Sequence, residues 1–372
     1  MKFHKLMLLL ALTGNVLAAA QNRPSKSELI SIIEKVNDYW QSTHPNPGNP
    51  FWDNAAYHTG NIEAYFVTGN EKYRAYSEQW AIRNEWKGAK TADTSKWKYN
   101  YGETPDHVLF GDWQVCFQTY IDLYLLSPDS NKIARAREVM EYQMSTPNND
   151  YWWWSDGLYM VMPVMTKLYK VTGDELYLDK LNEYFLYAKS IMYDPKTKLF
   201  YRDAKYVYPK HKTANGKKDF WARGDGWVFA GLAKVLKDMP KDGKYRPLFL
   251  KHYRDIAKEI IKCQQPEGYW TRSMLDPQHA PGPETSGTAF FTYGLLWGIN
   301  NGYLKEKTYL PAALKGWNYL STTALQPTGK IGYVQPIGEK AIPGQVVDAN
   351  STANFGVGAF LLAASEMVRF VK

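Results

Sequence analysis

Carboxylates set beside indoles, each just ahead of an apolar segment, are the residues here most able to do chemistry. Asp156 follows three tryptophans in Trp152-Trp153-Trp154-Ser155-Asp156-Gly157-Leu158-Tyr159-Met160. As a helix cap it would hold backbone N–H groups and its pKa would fall. Walled by aromatics it would instead be desolvated, keep a proton near neutral pH and act as a general acid. The spacing leaves both roles open. Asp112 repeats the arrangement in Phe110-Gly111-Asp112-Trp113-Gln114. Two such acids facing one cavity would be the carboxylate pair of glycoside chemistry, and two separate caps would give the same local pattern.

Two further stretches join them. In Phe220-Trp221-Ala222-Arg223-Gly224-Asp225-Gly226-Trp227-Val228 the glycines allow a tight turn. Arg223 offers a fork of donors suited to a carboxylate, and Trp221 and Trp227 offer faces for a sugar ring. A structural Arg223–Asp225 pair is the alternative. In Pro283-Glu284-Thr285-Ser286-Gly287-Thr288 the acid stands where it would meet the positive end of a helix, which makes direct catalysis by Glu284 the weaker reading. No His-x-x-x-His, Cys-x-x-Cys or acidic loop of metal-binding spacing occurs in the 372 residues, so no obligatory metal is expected.

These residues must be positioned by helices. Apolar residues recur at helical spacing over Leu29 to Trp40, Asn61 to Phe66, Lys72 to Trp86, Val115 to Leu126, Ile133 to Met144, Leu158 to Tyr169, Leu176 to Met192, Gly226 to Leu236, Tyr245 to Cys263, Ser286 to Asn300, Thr308 to Leu320 and Ser351 to Phe370. The class is all-α, with short strands allowed near Leu199 to Tyr208. Tyr65-Phe-Val-Thr-Gly69-Asn70-Glu71-Lys-Tyr73 matches Tyr169-Lys-Val-Thr-Gly173-Asp174-Glu175-Leu-Tyr177. In each copy a glycine closes one helix and an Asn or Asp caps the next, so each joins two antiparallel helices. A chain of such hairpins suits a closed toroid of six, and an open solenoid would show the same local pattern.

Composition narrows the function classes. Trp 14, Tyr 28 and Phe 15 make 15% of the chain, more than a core requires, as in clefts that bind sugars. A net charge of +8 favours an acidic partner, but no Lys/Arg run points to nucleic acid. Lys2, Lys5, the apolar run Leu6 to Leu12 and Ala18-Ala19-Ala20 read as a secretory signal peptide over residues 1–20, with one domain over 21–372, export to the periplasm or beyond, and no membrane span. Cys116 and Cys263 are read as free buried thiols in preference to a disulfide.

Trp-Ala-Arg-Gly-Asp-Gly-Trp at 221–227, Trp-Ser-Asp-Gly-Leu-Tyr-Met at 154–160, Glu-Thr-Ser-Gly-Thr-Ala at 284–289 and Asn-Phe-Gly-Val-Gly-Ala-Phe-Leu-Leu-Ala at 354–363 together resemble the unsaturated glucuronyl and rhamnogalacturonyl hydrolases, glycoside hydrolase family 105 and its relative family 88. The likeness runs over nearly the whole chain after residue 20. It implies an (α/α)6 barrel and a substrate with a 4,5-unsaturated uronic acid at its non-reducing end, the product of polysaccharide lyases. It also implies protonation at C4 of the double bond, addition of water at C5 and release of the remaining sugar, with no cofactor. On this resemblance Asp156 is the acid and base, Asp112 the second carboxylate, and Trp221 and Arg223 the platform and charged partner of the uronate.

Trp154, Trp113, Asp225, Trp227, Glu284 and His58 complete the candidate substrate contacts. Two positions depart from the family pattern: Asp225 stands where Asn is frequent, and Arg202 where a His often follows an aromatic pair. Arg202 lacks a neutral imidazole's chemistry but suits a carboxylate or sulfate, so altered substrate choice is expected there. The lysine-rich stretch 203–219 is either a loop near the cleft or a solvated face. A hydrolase or lyase of saturated glycans on the same toroid, and a non-catalytic glycan-binding protein, are the other readings.

Overall fold

The computed structural model describes residues 23–371, so the expected signal segment lies outside the described residues. Twelve α-helices are found among them: α1 (Lys26–Thr43), α2 (Trp52–Thr68), α3 (Glu71–Arg83), α4 (Cys116–Leu126), α5 (Asn131–Ser145), α6 (Ser155–Thr172), α7 (Leu176–Met192), α8 (Ala222–Asp238), α9 (Arg246–Cys263), α10 (Thr285–Asn300), α11 (Glu306–Tyr319) and α12 (Asn354–Val371). The odd-numbered helices show one buried stripe. In α1 it comprises Leu29, Ile33, Val36, Trp40 and their neighbours, the i, i+4, i+7 spacing of a helix with one wet face. The even-numbered helices are buried nearly all round: α10 from Thr285 to Gly298 and α12 from Phe355 to Val368. Such helices belong inside.

The packing follows from that difference. Helices α2, α4, α6, α8, α10 and α12 contact one another in that order, and α12 packs against α2 to close the ring. The odd helices lie outside: α3, α5, α7, α9 and α11 each pack against the inner helix that precedes them, and α1 packs mainly against α12 from the other end of the chain. The architecture is an (α/α)6 barrel. Closure is tight: a Cβ built on Gly60 would lie 2.2 Å from the carbonyl oxygen of Gly358, and one on Gly358 would lie 2.3 Å from that of Ala56. Helix α12 is long and apolar enough to cross a membrane, but its apolar surface is consumed in the ring, with 78% of it buried.

The repeated connectors behave alike. Gly69 (φ 69°) and Gly173 (φ 74°) are left-handed, and their N–H groups donate to the carbonyls of Tyr65 and Tyr169. Asn70 and Asp174 accept from the N–H groups of Lys72 (3.1 Å) and Leu176 (2.9 Å). Because each hairpin reverses direction, all six inner helices begin at one mouth.

Two expectations change. The stretch from Leu199 to Tyr208 forms no strand among the described residues: Phe200 and Asp203 make isolated antiparallel bridges to Tyr193 and Trp154, which cap the end of α7 and the start of α6, so each partner backbone is already entering or leaving a helix. Helix α2 starts nine residues before the expected Asn61. Its first half is Trp, Asp, Asn, Ala, Tyr, His and Thr, buried on several faces and therefore without apolar periodicity. Cys116 is free and buried; Cys263 is free and half-buried.

Candidate active site

At the barrel mouth a cleft of about 300 Å³ is lined by Phe51, Trp52, Asp53, Asn54, Tyr101, Glu103, Asp112, Trp154, Asp156, Met160, Arg202, Arg223, Ile337 and Gly338, with Asn49. A larger hollow of about 410 Å³, near Cys263 and Lys262 on the outer face, contains none of these groups. The chemistry is at the mouth. Six inner helices direct their N-termini there, and their aligned dipoles favour an anion.

Asp156 sits in the first turn of α6. Its Oδ2 accepts from Ser155 Oγ at 2.9 Å and lies 3.9 Å from Arg202 Nε. The fork is held over it by the chain itself: Ser155 N–H donates to the carbonyl of Arg202 at 2.7 Å, beside the Trp154–Asp203 bridge. Burial raises the Asp156 pKa, opposed by Arg202, the Ser155 bond and Arg223. Asp112, in the 3₁₀ turn Gly111–Trp113 just before α4, is raised well above the usual carboxylate range by burial and then by the charge of Asp156. Both carboxyls are therefore pushed toward their protonated forms, chiefly by burial.

Arg223 is buried in the first turn of α8. Its Nη1 and Nη2 donate to the carbonyls of Gln335 (2.6 Å) and Pro336 (2.9 Å), and its guanidinium lies 4.5 Å from the Trp221 ring and 4.6 Å from that of Phe355. It has no ion-pair partner among the described residues, and burial lowers its pKa to about 10, which leaves it fully charged at neutral pH. Arg202 is engaged differently. Its Nη1 donates to Asp203 at 2.6 Å and lies 3.4 Å from Glu339, with the guanidinium 5.8 Å from the Trp153 ring.

Of the sequence-predicted residues, Asp112, Asp156, Trp154, Arg202 and Arg223 come together in the cleft. The others stand behind it. Trp221 donates Nε1 to Gln335 at 2.8 Å and is 3% exposed, so it backs Arg223. Trp113 packs on Phe51 at 4.7 Å and donates to the Gly102 carbonyl. The expected sugar contacts at Trp227, Asp225, Glu284 and His58 are corrected: all four are 0% exposed. Trp227 packs inside the ring against Phe290 and Tyr159. Asp225 accepts from the Phe200 N–H at 2.8 Å, burial raises its pKa, and its other oxygen has no partner among the described residues. Glu284 caps α10 through Ser286 and Gly287 and also accepts from the Gln335 N–H at 3.1 Å. His58 is stacked 3.9 Å from Trp80 and bonded to Ser77, neutral because burial lowers its pKa to about 3.

Asp53 was missed. It opens α2, accepts from Asn354 Nδ2 at 2.9 Å, and burial raises its pKa. The signal was present in Phe51-Trp52-Asp53-Asn54, the same aromatic-then-acid start as at Asp112 and Asp156.

A ring of six hairpins with two carboxylates of raised pKa and a buried guanidinium at one mouth has the make-up of a glycoside-processing enzyme. The chain belongs to glycosyl hydrolase family 88, whose sequence profile matches residues 25–371. It is 32% identical over 382 residues, covering 98% of each chain, to an unsaturated 3S-rhamnoglycuronyl hydrolase of Formosa agariphila. A solved glycosyl hydrolase family 88 structure from Bacteroides vulgatus is 63% identical, with TM-score 0.92 over 93% of this chain and all (100%) of that one. Another solved structure, described as a polysaccharide lyase, is 71% identical, with TM-score 0.91 over 93% of this chain and 98% of that one.

Proposed function

We propose that this chain removes a 4,5-unsaturated uronic acid from the non-reducing end of lyase-generated oligosaccharides by hydrating the C4=C5 double bond. One observation carries the reading: two carboxylates of raised pKa, Asp112 buried and Asp156 partly so, line one cleft with a buried guanidinium that forms no ion pair among the described residues. Arg223 receives the uronate carboxylate. Asp156, protonated, gives its proton to C4, and positive charge develops at C5 and the ring oxygen. Water adds at C5, and the Asp156 carboxylate takes the water's proton, which restores the acid. The C5 hemiketal opens to a ketone, and C1, now a hemiacetal, releases the leaving sugar. Asp112 supports the pair by retaining a proton when Asp156 is ionised. We place the reaction outside the cytoplasm, on the export signal read in residues 1–20.

The 71% identity to a structure described as a polysaccharide lyase supports a second reading, in which the same groups make the double bond by β-elimination. Ultraviolet absorbance of the conjugated double bond separates the two. Hydration makes absorbance fall on unsaturated oligosaccharides, and elimination makes it rise on saturated uronic-acid glycans. With wild type and Asp156→Asn side by side, a fall in the wild type and a flat trace in the variant support hydration. A rise on saturated glycans, or equal falls in both proteins, overturns it.

A further inference from the structure

We propose that the leaving-sugar side of the cleft selects a neutral, unsulfated sugar, an inference that rests on the hydration reading above. The cleft has a deep end and an open end. Arg223 is 1% exposed, whereas Tyr101 and Ile337 at the rim are 60% and 65% exposed. A terminal uronate held by Arg223 therefore leaves the next sugar between Tyr101 and Ile337, beside Glu103.

The charges at that rim are acidic once pairing is counted. Glu103 lines the cleft, accepts from the Tyr101 hydroxyl at 3.1 Å, and meets no cation in an ion pair among the described residues. Arg202, the cation that sequence alone offers to a sulfate, is already held by Asp203 at 2.6 Å, Glu339 at 3.4 Å and Asp156 at 3.9 Å. Lys205 is held by Glu339 at 3.3 Å and Asp203 at 3.7 Å. The other lysines of the 203–219 stretch are turned to other partners or to solvent: Lys217 meets Asp276, Lys218 meets Asp194, and Lys210 and Lys212 are exposed and do not line the cleft. Lys340 follows Glu339 in the chain and does not line the cleft either. A sulfate on the leaving sugar would face Glu103, with no unpaired cation among the described residues lining the cleft's open end to receive it. Unpaired like charge at a recognition surface is how a site rejects a close analogue.

The test uses matched pairs of unsaturated disaccharides, uronyl-rhamnose with its 3-sulfate and uronyl-N-acetylgalactosamine with its 6-sulfate, followed by loss of absorbance. For the pair that is turned over, kcat/KM for the neutral member is expected to exceed that for the sulfated one by about tenfold or more at low salt, and the gap to narrow as salt screens the rim. In Glu339→Gln, which removes one of the carboxylates holding Arg202 and Lys205, the sulfated-to-neutral ratio is expected to rise several-fold. Equal or faster turnover of the sulfated member by the wild type, or an unchanged ratio in Glu339→Gln, overturns the inference. If none of the four is turned over, the hydration reading fails and this inference falls with it.

Discussion

Replacing Arg202 with Gln tests the electrostatic core of the mechanism. Arg202 Nε stands 3.9 Å from Asp156 Oδ2, and its charge opposes the burial that raises the Asp156 pKa. A full unit charge at that separation and an effective dielectric of 20 is worth about 4 kcal/mol. That is an upper limit, because the charge is spread over a guanidinium whose Nη1 is turned to Asp203 and Glu339, and water screens the space that the shorter side chain leaves. A net loss of about 1.4 kcal/mol corresponds to one pKa unit. The sign follows from the role. Asp156 must be protonated to deliver its proton, so kcat/KM falls as pH rises through its pKa. Removing Arg202 raises that pKa, and the alkaline limb of the kcat/KM profile should move up by about one pH unit. The assay is absorbance loss on the preferred unsaturated disaccharide across pH, at fixed ionic strength. Asp203 keeps Lys205 at 3.7 Å in the variant, so the fold should survive, which circular dichroism checks. A downward shift, or no shift while Asp112→Asn moves the limb, would show that Asp156 is not the proton donor.

Three other outcomes are expected. Asp156→Asn should lower kcat by about 10² to 10⁴-fold with an unchanged melting temperature, since the amide fits the same space but carries no acidic proton; retained turnover in steady-state kinetics would contradict the assignment. Gly358→Ala should destabilise by about 1–3 kcal/mol or more, because its Cβ would meet the Ala56 carbonyl at 2.3 Å where α12 closes the ring on α2; a thermal melt unchanged from wild type would mean the two helices part freely. Glu63 is buried between Lys237 and Arg369, whose charges outweigh burial and hold its pKa well below the ordinary 4.5. Its contribution is present in full above about pH 4.5 and is lost as pH falls toward the folded pKa, so Glu63→Gln should flatten that part of the denaturant-stability profile.

Much of this molecule is written locally. The helix periodicities, the Gly69 and Gly173 connectors and the aromatic-then-acid starts at Asp112 and Asp156 are each decided within a few residues, so the sequence carries them without help from the rest of the chain. The start of α2 was not legible by periodicity, since a helix buried on many faces has no apolar stripe to read. Asp53 was overlooked with it, although the Phe51-Trp52-Asp53 signal lay in view.

Which aromatics meet solvent in the cleft is another matter. Trp221 and Trp227 flank Arg223 in sequence, yet one backs the guanidinium and the other packs against Phe290, because successive residues of a helix face different directions and only ring closure says which direction is the mouth. The raised pKa values of Asp112 and Asp156, and the separate states of Arg202 and Arg223, belong wholly to tertiary structure. Sequence supplies the charge; burial and the partners brought in from Asp203, Gln335 and Glu339 set what that charge can do.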